Sequence, residues 1–428
     1  MRPNDRSALW QLSAMRAGRL DPRALMDETL EKIAASDLNA IVSLRERDAL
    51  LAEAADPRPG PLSGLPMAVK DMQDTAGIRT TYGHPAFADH VPDADTPLVA
   101  RLRAAGAILI GKTNVPEFAL GSHTYNRVHG ATTNPYDRGR SAGGSSGGAG
   151  AALATGLVAL ADGSDMMGSL RNPAAWNGVY GLRPTWGLVP PTPKGDPAMH
   201  PISTDGPMAR DPDDLELLLS VLAPAYRARP PRPLRIGWVG DWGGAWPVED
   251  GLLGVCEAAL DGLAEPMAPP FPAEDLWEAW TTLRSVAMAA NLAPIWTDAF
   301  KAESKPELVW EMERGAAMPL DAVLRASQVR AAWRRAFDAL EVDVMALPTT
   351  QCLPFEAGLD WPREIAGRQM DSYHRWMEAM VPASLAGLPA LSVPAGLLRG
   401  LPVGVQLVAK AGRDADLIAL ARLMRGCA

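Results

Sequence analysis

Two Gly/Ser-rich clusters lie close together in the chain. The first is GGSSGG, Gly143 to Gly148, and the second is GSDMMGSLR, Gly163 to Arg171. They set Ser145 and Ser169 24 residues apart. Far upstream, GLPMAVKD (Gly64 to Asp71) ends an apolar run on Lys70. A serine hydroxyl is a weak nucleophile until a base takes its proton. A lysine can be that base only when neutral, and burial against apolar residues such as Pro66 to Val69 lowers its pKa. Glycines let backbone N–H groups converge on one point, as an oxyanion hole requires. These residue types suit acyl transfer through a Ser/Lys relay that needs no histidine. They would equally serve a strand-end ion pair and tight structural loops, and residue types alone leave both readings open.

Other strings imitate known motifs without their context. GAILIGKT (Gly106 to Thr113) spells a phosphate-binding P-loop, but its loop positions are Ala-Ile-Leu-Ile, a buried strand rather than a flexible loop. Lys112 is then expected at the surface, at a strand end. GGSSG (Gly143 to Gly147) matches G-x-S-x-G, yet NPYDRGR (Asn134 to Arg140) precedes it where a nucleophile elbow needs an apolar strand. Asp371 with His374, or His200, would be the acid and histidine of that reading, but six histidines in 428 residues make chance pairs easy. His84, His90 and His123, near Asp89, Asp93 and Asp95, lack the spacing of a helical zinc site and read as loop or surface residues. No residue pattern implies a metal or a cofactor.

The elements that must position these residues follow from composition and pattern. The chain has 47% hydrophobic and 21% charged residues, enough for a core and incompatible with disorder. A formal charge of −9 argues against a protein that coats nucleic acid. Cys256, Cys352 and Cys427 have neither metal nor redox spacing. The first ten residues lack an apolar signal core, and a reducing cytoplasm is the expected location. Ser141 to Ala161 runs 21 residues without a charge, but its first ten hold five glycines and three serines, which is loop composition rather than a membrane span.

Ser7 and Asp21-Pro22 read as helix starts, and Leu25, Met26, Leu30 and Ile33 recur at helical spacing. Short apolar runs between Gly and Pro read as strands: Pro66 to Val69, Ala107 to Ile110, Gly156 to Ala161, Ile236 to Val239, Val344 to Leu347, Leu391 to Val393 and Val403 to Val408. Gly156 to Ala161 is ambiguous, since Ala149 to Leu160 also fits one buried helix. Strands alternating with helical patterns predict an α/β fold. Leu222 to Leu234 is rich in Pro and Arg and marks an internal boundary or surface crossing. Ten of the thirteen tryptophans lie beyond it. They suit helix packing, or alternatively an aromatic wall for an apolar substrate.

The run from Gly143 to Pro190, GGSSGG…GSDMMGSLRNPAAWNGVYGLRPTWGLVP, resembles the signature segment of the amidase signature family. GLPMAVKD and GKTNVPEF (Gly111 to Phe118) resemble two further segments. Weaker echoes are NPYD (Asn134 to Asp137), DVMALP (Asp343 to Pro348), LAGLPALSVP (Leu385 to Pro394) and GLPVGVQLV (Gly400 to Val408). The resemblance spans almost the whole chain and is weakest over 234–341. It implies a single α/β domain over 1–428, with a large mixed, twisted sheet covered by helices on both sides. The signature core would occupy about 62–222 and 342–428, and a variable segment of about 234–341 would cover the substrate.

The resemblance also implies roles. Ser169 is the acyl-accepting nucleophile, Ser145, on a cis peptide bond, relays the proton, and neutral Lys70 takes it. Backbone N–H groups of Met166, Met167, Gly168 and Ser169 hold the oxyanion. Ser146 and Arg171 support the triad, Arg171 either in that way or as an ion pair with Asp165. Ala119, Leu120, Gly121 and Ser122 line the substrate pocket. The implied activity is hydrolysis of a small apolar or aryl amide, with ester cleavage as a side activity. The alternatives are the glutaminase component of a tRNA-dependent amidotransferase and a non-catalytic binding protein. The partner is a small-molecule amide rather than nucleic acid or membrane, and a homodimer is the family habit. One position departs from the family string: Met167 stands where Gly is usual. That predicts a backbone denied easy positive φ and a crowded oxyanion loop, with broader or higher activity in Met167→Gly, or alternatively a narrowed pocket or a different leaving-group preference.

Overall fold

The computed structural model describes residues 5–191 and 202–425. Its main feature is an eight-stranded mixed sheet. Across the sheet the strands run Ala264–Pro266, Ile236–Trp238, Val344–Pro348, Leu401–Ala409, Ala390–Leu398, Tyr180–Arg183, Thr204–Ala209 and Leu160–Asp165. Ile236–Trp238 pairs in parallel with both of its neighbours, and every other pairing is antiparallel.

Alternation along each strand divides the apolar residues between the two faces. Val344 and Ala346 join one core with helices Pro212–Leu222, Leu252–Ala259 and Asp414–Arg425. Met345 and Leu347 join the other, with helices Arg171–Asn177, Ala273–Leu292 and Leu320–Asp338. The sheet is thus covered on both sides, and the α/β fold class stands. Of the helix starts read from sequence, Ser7 caps Ala8–Arg16 and Asp21 caps Pro22–Ala34 through their side-chain oxygens.

A small three-stranded sheet adjoins the large one. Ile108–Thr113 lies at its centre, antiparallel to Ile41–Val42 and parallel to Pro66–Lys70. The ambiguous stretch resolves into a helix, Gly147–Ala154, followed by the strand Leu160–Asp165. The strands Tyr180–Arg183 and Thr204–Ala209 have no run of apolar residues long enough to announce them, because Gly, Pro and polar residues share their buried positions with Tyr180, Leu182, Met208 and Ala209.

Candidate active site

Lys70 ends the strand Pro66–Lys70, all five residues of which are buried. Its backbone N–H donates to Asp162 Oδ1 at 3.1 Å, tying the small sheet to the large one. Its side chain is fully enclosed. The Nζ lies 2.8 Å from Ser145 Oγ, 2.9 Å from Ser146 Oγ, 2.9 Å from Ser164 Oγ and 3.3 Å from the Ser164 carbonyl oxygen. An ammonium has three hydrogens, so four oxygens at these distances also suit an amine that accepts from one hydroxyl. Burial lowers its pKa to about 8, against the pull of Asp205, Asp162 and Asp165.

The Gly144–Ser145 peptide bond is cis. Ser146 leads directly into helix Gly147–Ala154. A Cβ at Gly163 would stand 2.6 Å from Ser146 Oγ, so only glycine lets the strand Leu160–Asp165 approach the serine pair.

That strand ends on Asp165, four residues before Ser169. The Asp165 carboxylate organises the intervening loop. It accepts from the Gly168 N–H at 2.8 Å and the Leu170 N–H at 3.2 Å. It also takes a forked pair from Arg171, Nε at 2.9 Å and Nη2 at 2.8 Å. Arg183 lies 3.5 Å away. Burial alone would raise this carboxyl, but Arg171 and Arg183 outweigh it and hold Asp165 below the ordinary carboxylate range. Arg171 is therefore an ion-pair partner and a loop support at once. Arg171→Met should cost about 3–5 kcal/mol, as expected for a broken buried pair. Urea unfolding would read this as a lower midpoint at unchanged slope, and a loss below about 1 kcal/mol would refute the role.

Among the described residues, no hydrogen bond joins the hydroxyls of Ser145 and Ser169, although both line the same cleft. The N–H groups of Met166, Met167 and Ser169 have no partner there either. Gly168 differs from its neighbours, because its N–H already serves Asp165. Of the four amides named as oxyanion donors, three are thus free of hydrogen-bond partners among the described residues.

Met167 also departs from expectation. The positive φ of this loop falls on Gly168, at +84°, and not on Met167. A Cβ at Gly168 would meet Met380 Cγ at 2.5 Å. Met167 needs no left-handed backbone, so its side chain causes no strain there. It is 2% exposed and packs in the core with Trp280, whose Nε1 donates to Met167 Sδ at 3.2 Å. Removing so buried a side chain leaves a void. Met167→Gly should lose about 2–5 kcal/mol of stability and gain no activity, the reverse of the crowding expectation. A melting temperature within about 1 °C of the parent would contradict this packing account.

The cleft has a volume of about 1010 Å³. Ala119, Leu120, Gly121 and Ser122 line it, and so do Ser145, Ser164, Met166, Met167 and Ser169. Tyr82, Phe87 and Phe118 supply an aromatic side, with Tyr82 edge-on to Phe87 at 5.0 Å. Arg284, Met288, Leu292 and Ile295 come from helix Ala273–Leu292 and the turn after it. None of the ten late tryptophans is on the lining, and Trp186 is the tryptophan that is. Trp280, Trp333 and Trp376 are fully buried, which decides for helix packing over an aromatic wall.

The lookalike motifs do other work. Lys112 is wholly buried rather than exposed, because the strand Ile108–Thr113 is the middle one of its sheet. Its amine donates to the Gln73 carbonyl oxygen and to Thr75 Oγ1, fixing the loop after Lys70. His123 is buried between Ser141 Oγ at 2.7 Å and the Ala357 carbonyl oxygen at 3.0 Å. His84 is buried too, stacked on Phe300 at 4.1 Å. His374 lies 3.5 Å from Glu311 and is not on the lining of the cleft that holds Ser145 and Ser169, while His200 and Cys427 fall outside the described residues. Among the described residues no cluster of His, Cys, Asp or Glu could hold a metal, and no helix is long and apolar enough to cross a membrane.

Sequence reasoning missed Ser164, Asp162, Arg183 and Arg284. Ser164 stood inside the second cluster, between Gly163 and Asp165, and that position was a usable signal. Arg284 sits in a helix whose sequence carries no motif.

Comparison with known proteins identifies the family. The Amidase family model matches residues 24–234 and 273–418. The chain belongs to the amidase signature family and is an amide-hydrolysing enzyme of that family. It is similar to the A-type component of the glutamyl-tRNA(Gln) amidotransferase of Thermus thermophilus, with 37% identity covering 94% of this chain and 93% of the relative. The same component from Saccharolobus solfataricus is 33% identical, with 94% and 93% covered. Among solved structures, a bacterial aryl acylamidase superposes with a TM-score of 0.90 at 25% identity, covering 99% of this chain and 96% of that one.

Proposed function

We propose that the enzyme hydrolyses small apolar or aryl amides through an acyl-enzyme on Ser169. The observation that carries this is the buried Lys70 amine, held against Ser145 and Ser146 in a cleft that also presents Ser169. Ser169 Oγ attacks the amide carbonyl carbon. Its proton passes to Ser145 as the Ser145 proton passes to Lys70. Met166, Met167 and Ser169 N–H groups receive the negative oxygen. The C–N bond then breaks, and the amine leaves with the proton returned along the same relay. Water adds to the ester carbon by the same route, releases the acid and restores Ser169.

The cleft lining supports an apolar acyl or aryl group. Tyr82, Phe87, Phe118, Leu120, Met288 and Ile295 offer apolar surface, and the charged groups at the lining, Asp205 and Arg284, are already engaged with Gln73 and Glu311. A second reading rests on the curated relatives, which bear the name of an amidotransferase component. There the same residues would release ammonia from glutamine within a larger assembly. By sequence that reading is the better supported, and by the cleft chemistry the first.

One experiment addresses both. A fluorophosphonate probe should label Ser169 in the parent but not in Lys70→Ala, with the site mapped by mass spectrometry. Steady-state rates on anilides of short fatty acids and on glutamine then divide the readings. Higher kcat/KM on anilides supports the first, and higher kcat/KM on glutamine supports the second. No label on folded protein would overturn both.

A further inference from the structure

Two consecutive methionines in the loop before Ser169 each receive an N–H from one helix. Trp280 Nε1 lies 3.2 Å from Met167 Sδ, and Arg284 Nη1 lies 3.3 Å from Met166 Sδ. Trp280 and Arg284 are four residues apart on Ala273–Leu292, so they share one face a single turn apart. We propose that Trp280 and Arg284 are positioning residues which clasp the Met166 and Met167 side chains and thereby aim the backbone amides of that loop at the reacting carbonyl. This rests on the Ser169 reading above and adds the device that holds its oxyanion donors.

A methionine side chain is unbranched and adaptable, and left alone it would not fix its backbone. Here both sulfurs meet donors that cannot wander. Trp280 is fully buried in the core. The Arg284 guanidinium is set by Glu311, which accepts from Nε at 2.8 Å, and by Tyr373, whose Oη lies 2.8 Å from Nη2. Glu311 is itself fixed by Ser285 Oγ at 2.8 Å and Tyr373 Oη at 2.7 Å. On its other side the loop is held by Asp165 at the Gly168 N–H. Gly168 needs its left-handed φ and cannot hold its neighbours by side-chain packing. The clasp therefore supplies at Met166 and Met167 the restraint that Asp165 supplies at Gly168. It also accounts for a side chain at position 167, where a glycine would leave Trp280 without an acceptor.

The test is a double-mutant cycle on the full chain. Trp280→Phe keeps a ring and loses the N–H, and Met167→Leu keeps the apolar bulk and loses the sulfur acceptor. The wild type is first labelled with the fluorophosphonate, so that failure of the Ser169 reading shows separately as absence of label. The probes are an anilide substrate and the trifluoromethyl ketone of the same acyl group, which forms a tetrahedral adduct. Each single variant should lower kcat by about 2- to 10-fold, the range expected for a contact to sulfur. It should weaken the ketone by the same factor and leave KM within about twofold. The double variant should be no worse than the poorer single one. Met166→Leu tests the Arg284 arm by the same readout without unpairing Glu311. Unchanged kcat and ketone affinity in labelled protein would overturn the proposal. So would losses that multiply in the double variant, or losses that follow KM or melting temperature alone.

Discussion

Ser169→Ala is expected to lower amide turnover by about 10⁴-fold or more, the scale seen when a serine nucleophile is removed from a covalent relay. The fold should not notice. The hydroxyl has no hydrogen-bond partner among the described residues, so its removal orphans no donor or acceptor. The loop is held through its backbone and by Asp165, and neither contact involves the Ser169 side chain. Circular dichroism and melting temperature should match the parent within about 2 °C, while single-turnover assays show no acyl-enzyme. Retention of more than a tenth of the parent rate would transfer the nucleophile to Ser145 or Ser164, which line the same cleft and contact the Lys70 amine at 2.8 and 2.9 Å.

Lys70→Met is expected to lower amide hydrolysis by about 10²- to 10⁴-fold, the range of a lost general base and acid. Esters should lose less, because an alcohol leaves without the proton that an amine requires. The pH profile carries the sharper signature. With the Lys70 pKa lowered to about 8 by burial, parent kcat/KM should rise with pH through that value as the amine becomes neutral. The residual rate of Lys70→Met should lack this limb. Stability follows the same group. A lysine whose folded pKa lies below its unfolded value binds fewer protons when folded, so stability rises with pH between about 8 and about 10.5. Lys112, also lowered to about 8 by burial, adds to this slope, so the variant should keep part of it. A pH profile for Lys70→Met that parallels the parent would remove Lys70 from the proton path.

Lys70, Ser145 and Ser169 could be singled out in the sequence because the proposed chemistry needs small residues at fixed intervals, and such residues leave a visible string. The apolar runs at Pro66 to Val69 and Val344 to Leu347 were legible because both faces of their sheets are buried. What stayed hidden depends on contacts distant in sequence. Lys112 looked like a strand terminus, and only the sheet order shows its strand to be central. The backbone amides proposed as oxyanion donors looked equivalent until the position of Asp165 separated Gly168 from its neighbours. Met167 looked like an intruder, because its acceptor role depends on Trp280, 113 residues away. The tryptophan-rich segment gave no sign of which of its faces meets the site.

The helix Ala273–Leu292 bears on both the cleft wall and the loop before Ser169, since Arg284 and Met288 line the cleft while Trp280 and Arg284 reach the sulfurs of Met167 and Met166. That sharing limits modularity. Grafting this helix from a relative would import a new wall and, with it, a new set of donors for the loop. A chimera that keeps Met166 and Met167 but loses their partners would inherit the relative's selectivity with a slackened catalytic loop. Engineering of substrate choice through this helix must therefore change loop and wall together.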